Sequence, residues 1–221
     1  MRKVKNLMRA LSLMPVLLIA APVLAGSTGE EQLQAISDQL EGLEKCDETQ
    51  SCPQDPTNPR NSYYLLGEQI NGELGNLEEW QRQFGESEES RAIVLHYLGY
   101  PNEFVQLKAV TILGEMSIDD ATADTLLNRL PRVRDKEVLI PWIAQLQRYP
   151  HLQQQIDNTF ANILQRGSFE AARVVAENIG PFLTADNLSF YQQIHAQLPA
   201  NSAKALALGK AIDRQIARNQ S

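Results

Sequence analysis

Histidine, cysteine and tryptophan are scarce in this chain: three, two and two among 221 residues. His96, His151 and His195 stand far apart, with no i, i+4 pair and no HExxH run, so the spacing that builds a zinc site is missing. No serine sits in a G-x-S-x-G elbow, which removes the usual sign of a nucleophilic hydrolase. The glycines of "INGELGN" and "GYPNEF" lack the spacing of a phosphate-cradling loop. "CDETQSCPQD" lacks the alternating acids and closing glutamate of a calcium loop. Strand signals are equally thin, with no sustained apolar/polar alternation and few β-branched runs. These gaps point to an all-α chain without a catalytic motif, a cofactor or a metal.

What is present begins with a leader. Arg2, Lys3, Lys5 and Arg9 precede an uncharged apolar run, "ALSLMPVLLIAAPVLA", and Val23 and Ala25 occupy the small-residue positions before Gly26. This is the three-part pattern of a cleaved secretory signal over 1–25. The run is interrupted by Pro15 and Pro22 and falls short of the ~20 apolar residues that span a bilayer. An uncleaved anchor is the alternative. The short basic start is of bacterial type and places the chain in the periplasm, a secreted eukaryotic protein being the other option. The whole chain has 20 basic and 27 acidic residues; without the leader's four basic ones the count is 16 against 27, a net of −11. So acidic a chain is unsuited to nucleic acid or an anionic bilayer.

Cys46 and Cys52 lie in "CDETQSCPQDPTNPR". In an oxidising compartment, two cysteines this close pair most simply with each other. A helix with its seam on Leu33, Ile36, Leu40 and Leu43 precedes this loop, and Pro53, Pro56 and Pro59 forbid helix within it. A second helix runs from Asn61 or Ser62 to about Phe84, with Leu66, Ile70, Leu74, Leu77 and Trp80 on its buried face. Residues 26–84 are therefore expected to form a helical hairpin clipped by a disulfide.

The remainder, 85–221, repeats. Asn102, Asp135, Ser168 and Asn201 are helix-capping residues spaced 33 apart. Eleven positions after each stand Leu113, Leu146, Ile179 and Ile212. Seven positions after stand Ala109, Trp142, Val175 and Leu208. Together with the residues three, four and eight after each cap they form an amphipathic face, weakest in the last copy, where Lys204 and Gly209 intrude. Pro141 is expected to kink or loosen the second copy's helix. Each of these helices follows another, over 87–99, 117–130, 151–167 and 184–198, in which Val94, Leu127 and Phe160 keep the same period and Ile194 slips by one.

"NEFVQLKAVTILGEM" resembles the second helix of a HEAT-type repeat through Asn102, Val105, Ala109, Val110, Leu113 and Gly114. "SFEAARVVAENIG" follows the same scheme through Ser168, Ala171, Val175, Ala176, Ile179 and Gly180. The resemblance covers roughly 87–217 and is blurred in the other two copies. It implies a right-handed α-solenoid of about four helix pairs, capped by the hairpin at its start, and a concave face offered to a partner.

Two candidate surfaces follow. If the second helix of each pair lines the inner face, the positions nine and thirteen after each cap point away from the core. Among them Thr111, Glu115, Arg148, Glu177, Lys210 and Arg214 form a mixed-charge row suited to protein or peptide contact. The other surface is the basic stretch "NRLPRVRDK", with Arg129, Arg132, Arg134 and Lys136, read either as a solvated turn near a helix end or as a contact for an acidic partner. The expected function is a periplasmic, non-enzymatic scaffold that binds a protein or peptide. The alternatives are a small enzyme or regulator with a polar pocket between repeats, or a structural subunit of an envelope assembly.

Overall fold

The computed structural model describes residues 28–52, 58 and 61–220. The leader at 1–25 and the loop prolines at 53, 56 and 59 lie outside the described residues. Among the described residues there are ten α-helices and no strand.

Helix α1 (Gly29–Glu48) starts at Thr28, whose hydroxyl and the Glu31 carboxylate form a capping box, and it buries Leu33, Ile36 and Leu40. Helix α2 (Asn61–Phe84) buries Leu66, Ile70, Leu74, Leu77 and Trp80, the five residues its periodicity marks out. The two pack on each other. Trp80 Nε1 donates to the Gly29 carbonyl at 2.7 Å, and the Cys46–Cys52 disulfide closes the far end with its Cα atoms 4.8 Å apart. Gly85 ends α2 at φ 84°, a left-handed conformation that glycine adopts without the steric cost of a Cβ.

Eight helices follow: α3 (Glu88–Tyr97), α4 (Glu103–Glu115), α5 (Asp120–Arg129), α6 (Lys136–Leu146), α7 (Gln153–Arg166), α8 (Phe169–Asn178), α9 (Leu188–Gln197) and α10 (Ala203–Asn219). Asn102, Asp135 and Ser168 are the N-caps of α4, α6 and α8, each side-chain oxygen accepting from first-turn N–H groups. The fourth cap is corrected by one residue. Ser202, not Asn201, caps α10, its hydroxyl accepting from Ala205 N, because a turn bonding Ser202 N to the Pro199 carbonyl delays the helix start. The slip explains why the last copy looks blurred. Ala205, Leu208, Ala211 and Ile212 are buried, while the Lys204 side chain leaves the core to donate to the Leu164 carbonyl at 2.6 Å. Helix α6 continues through Pro141, with Trp142, Ile143 and Leu146 buried beyond it. Three single-turn 3-10 segments, each containing a proline (Pro131, Pro150, Pro181), link elements in the second half.

The even-numbered helices form a continuous file in which α2 packs on α4, α4 on α6, α6 on α8 and α8 on α10. Each odd-numbered helix from α3 to α9 packs on its even successor. The core between them runs unbroken from Leu33 to Ile212, and Val94, Leu127, Phe160 and Ile194 of the odd helices all lie in it. Burying each such side chain contributes about 1.5–3 kcal/mol. The even file thus keeps one flank on the core and exposes residues such as Thr111, Glu115, Glu177, Lys210 and Arg214 on the other.

Candidate interaction surface

The free flank of the even helices carries the positions nine and thirteen after each cap. Thr111, Glu115, Glu177, Lys210 and Arg214 are exposed there. Arg148 departs from the outward position expected of it. Its guanidinium donates to the Leu113 carbonyl at 2.9 Å and Gln145 Oε1 at 3.1 Å, and to the Met116 carbonyl, so it clamps the C-terminal end of α4. A cation is favoured there because the last carbonyls of a helix lack intrahelical donors and carry its negative dipole end.

Most other charges on this flank are already matched. Glu78 of α2 sits between Lys108 and Arg82, and the Lys108 ammonium holds its carboxyl below the usual range. Arg82 also reaches Glu79 at 3.1 Å and approaches Glu115 at 4.0 Å. Thr111 Oγ1 donates to its own helix, to the Leu107 carbonyl at 2.8 Å. On α8, Arg173 bridges Glu170 and Glu177, the latter at 3.0 Å, and keeps the Glu170 carboxyl below its ordinary value.

A cleft of about 440 Å³ opens where α6, α8 and α10 meet. Its apolar lining comes from Ile140, Ile143, Ala144, Pro181 and Ala211, and its polar lining from Gln147, Asn178, Gln215, Glu177, Arg214 and Arg218. Ile140 is 42% exposed and, with the exposed Ala144 and Pro181, gives the cleft an apolar edge. The structure therefore brings Glu177 and Arg214 into one cleft, while Thr111 and Glu115 lie apart on α4. The column reading missed Ile140, Gln147 and Gln215, whereas Pro181 stands thirteen after Ser168, in the outward column itself. An apolar residue at an outward column, Ile140 five after its cap, was the available signal.

The basic stretch does not act as one patch. Arg129 turns inward, its Nη1 donating to the Leu95 carbonyl at 2.8 Å at the end of α3. Lys136 pairs with its neighbour Glu137 at 3.3 Å, while Arg132 and Arg134 are exposed. Arg129 and Arg132 share the lining of a second cleft, of about 420 Å³, with His96 and Trp142.

The three histidines do not converge. His96 Nε2 meets Glu44 Oε1 and His151 Nε2 meets Asp120 Oδ1, each at 2.7 Å, across helix pairs. His195 lies against Gly209, where an added Cβ would stand 3.0 Å from Nε2. Among the described residues, no group of three or more His, Cys, Asp or Glu side chains is placed to hold a metal ion. Beside His96, Tyr100 donates to Asp47 Oδ2 at 3.2 Å, and burial raises the phenols of Tyr97 and Tyr100, with Glu44 and Asp47 adding to the effect.

One buried polar cluster had no counterpart in the sequence reading. The Asp157 carboxylate of α7 accepts from Tyr191 OH at 2.7 Å, from Asn187 Nδ2 at 3.1 Å and from Gln153 Nε2 at 2.8 Å. Desolvation and this contact raise the Tyr191 phenol far above its ordinary value. The cluster fastens α7 to α9 and its N-cap Asn187. Among the described residues, no helix is long and apolar enough to cross a membrane. Comparison with known proteins finds no matching family model, curated relative or solved structure.

Proposed function

We propose that the chain is an exported, periplasmic, non-enzymatic scaffold that binds a protein or peptide on the free flank of its even-numbered helices. It does so as a HEAT-like right-handed α-solenoid of about four helix pairs, with the α1–α2 hairpin as its N-terminal cap. Caps at Asn102, Asp135 and Ser168 support the repeat, as does the file of contacts from α2 to α10. So do bonds joining neighbouring units at about one period, from Arg129 to Leu95 and from Arg148 to Leu113. The leader pattern and the Cys46–Cys52 disulfide support export.

The observation that carries the binding reading is the cleft between α6, α8 and α10. It is assembled from successive units, holds an exposed isoleucine beside charged and amide side chains, and is of ligand-pocket size. Its test is site-specific photo-crosslinking in periplasmic extract. A photo-reactive side chain at Gln147 or Glu177 is expected to capture one discrete partner, and the same group at Asp124 of α5 is not. Equal yields from all three positions, or none from any, would remove the reading.

A further inference from the structure

The free flank is electrostatically uneven, and that unevenness identifies what the cleft takes. At the α2–α4 end Glu78, Glu79 and Glu115 are matched by Arg82 and Lys108. On α6 the guanidinium of Arg148 is committed to the end of α4. On α8 Glu177, the one carboxylate lining the cleft among the described residues, is already held by Arg173 at 3.0 Å. What remains is cationic. Lys210 and Arg214, one turn apart on α10, are exposed and have no hydrogen-bond or ion-pair partner among the described residues. Arg214 lines the cleft; Lys210, one turn before it, and the exposed Asp213, the nearest acid in sequence, lie outside its lining. This positive end belongs to a chain with seven more acidic than basic residues, so it is local and not a reflection of composition.

We infer that the α6–α8–α10 cleft docks a short acidic peptide segment of the partner, a carboxylate meeting Arg214 and Lys210 and an adjoining apolar side chain covering Ile140. The inference rests on the scaffold reading above and names the chemistry of its partner. Charge complementarity selects the carboxylate: a guanidinium offers paired donors in a planar fork that a carboxylate matches. The apolar requirement comes from Ile140, Ala144 and Pro181, which otherwise leave carbon surface open to water. The exposed Gln147 amide stands beside them and can serve a peptide backbone. A free anion would satisfy Arg214 but leave Ile140 uncovered, and an apolar peptide would leave the two cations unmatched.

The test uses the full chain without its leader and a fluorescein-labelled hexapeptide of alternating glutamate and leucine. The control peptide carries lysine in place of glutamate, and binding is read by anisotropy. The acidic peptide is expected to bind, to weaken as NaCl rises, and to beat the lysine peptide. Arg214→Gln should weaken it about threefold and Lys210→Glu with Arg214→Glu about tenfold, as expected for exposed ion pairs and their reversal. Ile140→Ser should weaken it without changing its salt dependence. These positions are exposed, so circular dichroism is expected to show unchanged helix in each variant. Equal binding of both peptides, no binding of the acidic one, or indifference to the double reversal overturns the inference. If Gln147 still crosslinks a partner in any of those cases, the scaffold stands and only the acidic segment is lost.

Discussion

Arg148 Nη1 lies 2.9 Å from the carbonyl oxygen of Leu113, thirty-five residues earlier. The same guanidinium also donates to the Met116 carbonyl, so one side chain adds a second donor to Leu113, which Met116 N already reaches at 3.3 Å, and supplies one to the C-cap residue of α4. Arg148→Met keeps the apolar stem and removes the donors. It is expected to lower unfolding free energy by about 1–2 kcal/mol, read as a lower urea midpoint at unchanged slope. A charge reversal here would therefore report on folding and not on a partner. Arg214 is the informative position for binding.

Asn102 does two jobs from a buried position. Oδ1 accepts from Phe104 N at 3.0 Å and Val105 N at 3.3 Å, and Nδ2 donates to the Tyr63 carbonyl at 3.2 Å on α2. Asn102→Ala is expected to cost about 2 kcal/mol, one part from the cap and one from the lost bond to α2. A Cβ on Gly67 would stand 2.7 Å from that Nδ2. Gly67→Ala should therefore destabilise the native protein but not the Asn102→Ala background, and a double-mutant cycle in urea would measure the coupling.

The Asp157 carboxylate is buried, and its hydrogen-bond partners are the neutral Gln153, Asn187 and Tyr191. Asp157→Ala strands those donors inside the protein, at an expected loss of about 2–4 kcal/mol. Tyr191→Phe removes one bond and is expected to cost about half as much. Thermal unfolding with both variants checks the order. Equal midpoints for the two would show that the cluster is not shared as the geometry has it.

Acid should destabilise the protein through specific carboxylates. Glu86 accepts from Ser117 N at 3.0 Å and from Arg91, and the Ser117 contacts hold its carboxyl below the ordinary 4.5. Glu78 is lowered beside Lys108, and Asp119 by its bonds to Thr122. A folded-state pKa below the unfolded one means stability present above the unfolded value and lost as pH falls through the folded one. Midpoint temperatures are thus expected to fall as pH drops below 4.5, and less steeply in Glu86→Gln. At the other extreme, burial and Glu103 push the Tyr63 phenol up to about 12. Its contribution is present below pH 10.0 and lost as pH climbs toward 12, which tyrosinate absorbance in wild type and Tyr63→Phe would follow.

The Cys46–Cys52 bridge closes a short loop at the end of α1. Replacing both cysteines by serine is expected to remove about 2 kcal/mol by the chain-entropy argument. That is roughly 4–8 °C in the midpoint for a chain of this size. Reduction of the wild-type protein should give the same shift.

Much of the helical plan was legible because capping and helical periodicity are local physics. A cap residue and the apolar residues three, seven and eleven positions later are read within one stretch of chain, and at Asn102, Asp135 and Ser168 the reading holds to the residue. It slipped at Asn201, where a turn from the Pro199 carbonyl to Ser202 N moves the helix start one residue on. Pro141 lies inside α6, which continues through it.

The fates of the charged side chains were not legible, because a long flexible side chain is directed by what lies across the helix interface and not by its own column. Glu177 and Arg214 share a cleft, Arg148 and Arg129 turn back to cap helices one unit away, and Asp157 disappears beneath α9. By itself the sequence determined an all-helical chain, the start of most helices and which residues face inward, since each follows from neighbours within about eleven positions. Only the tertiary structure decided which helices pack in file, which cations are consumed by carbonyl groups of an adjoining unit, and which, on α10, are left for something else.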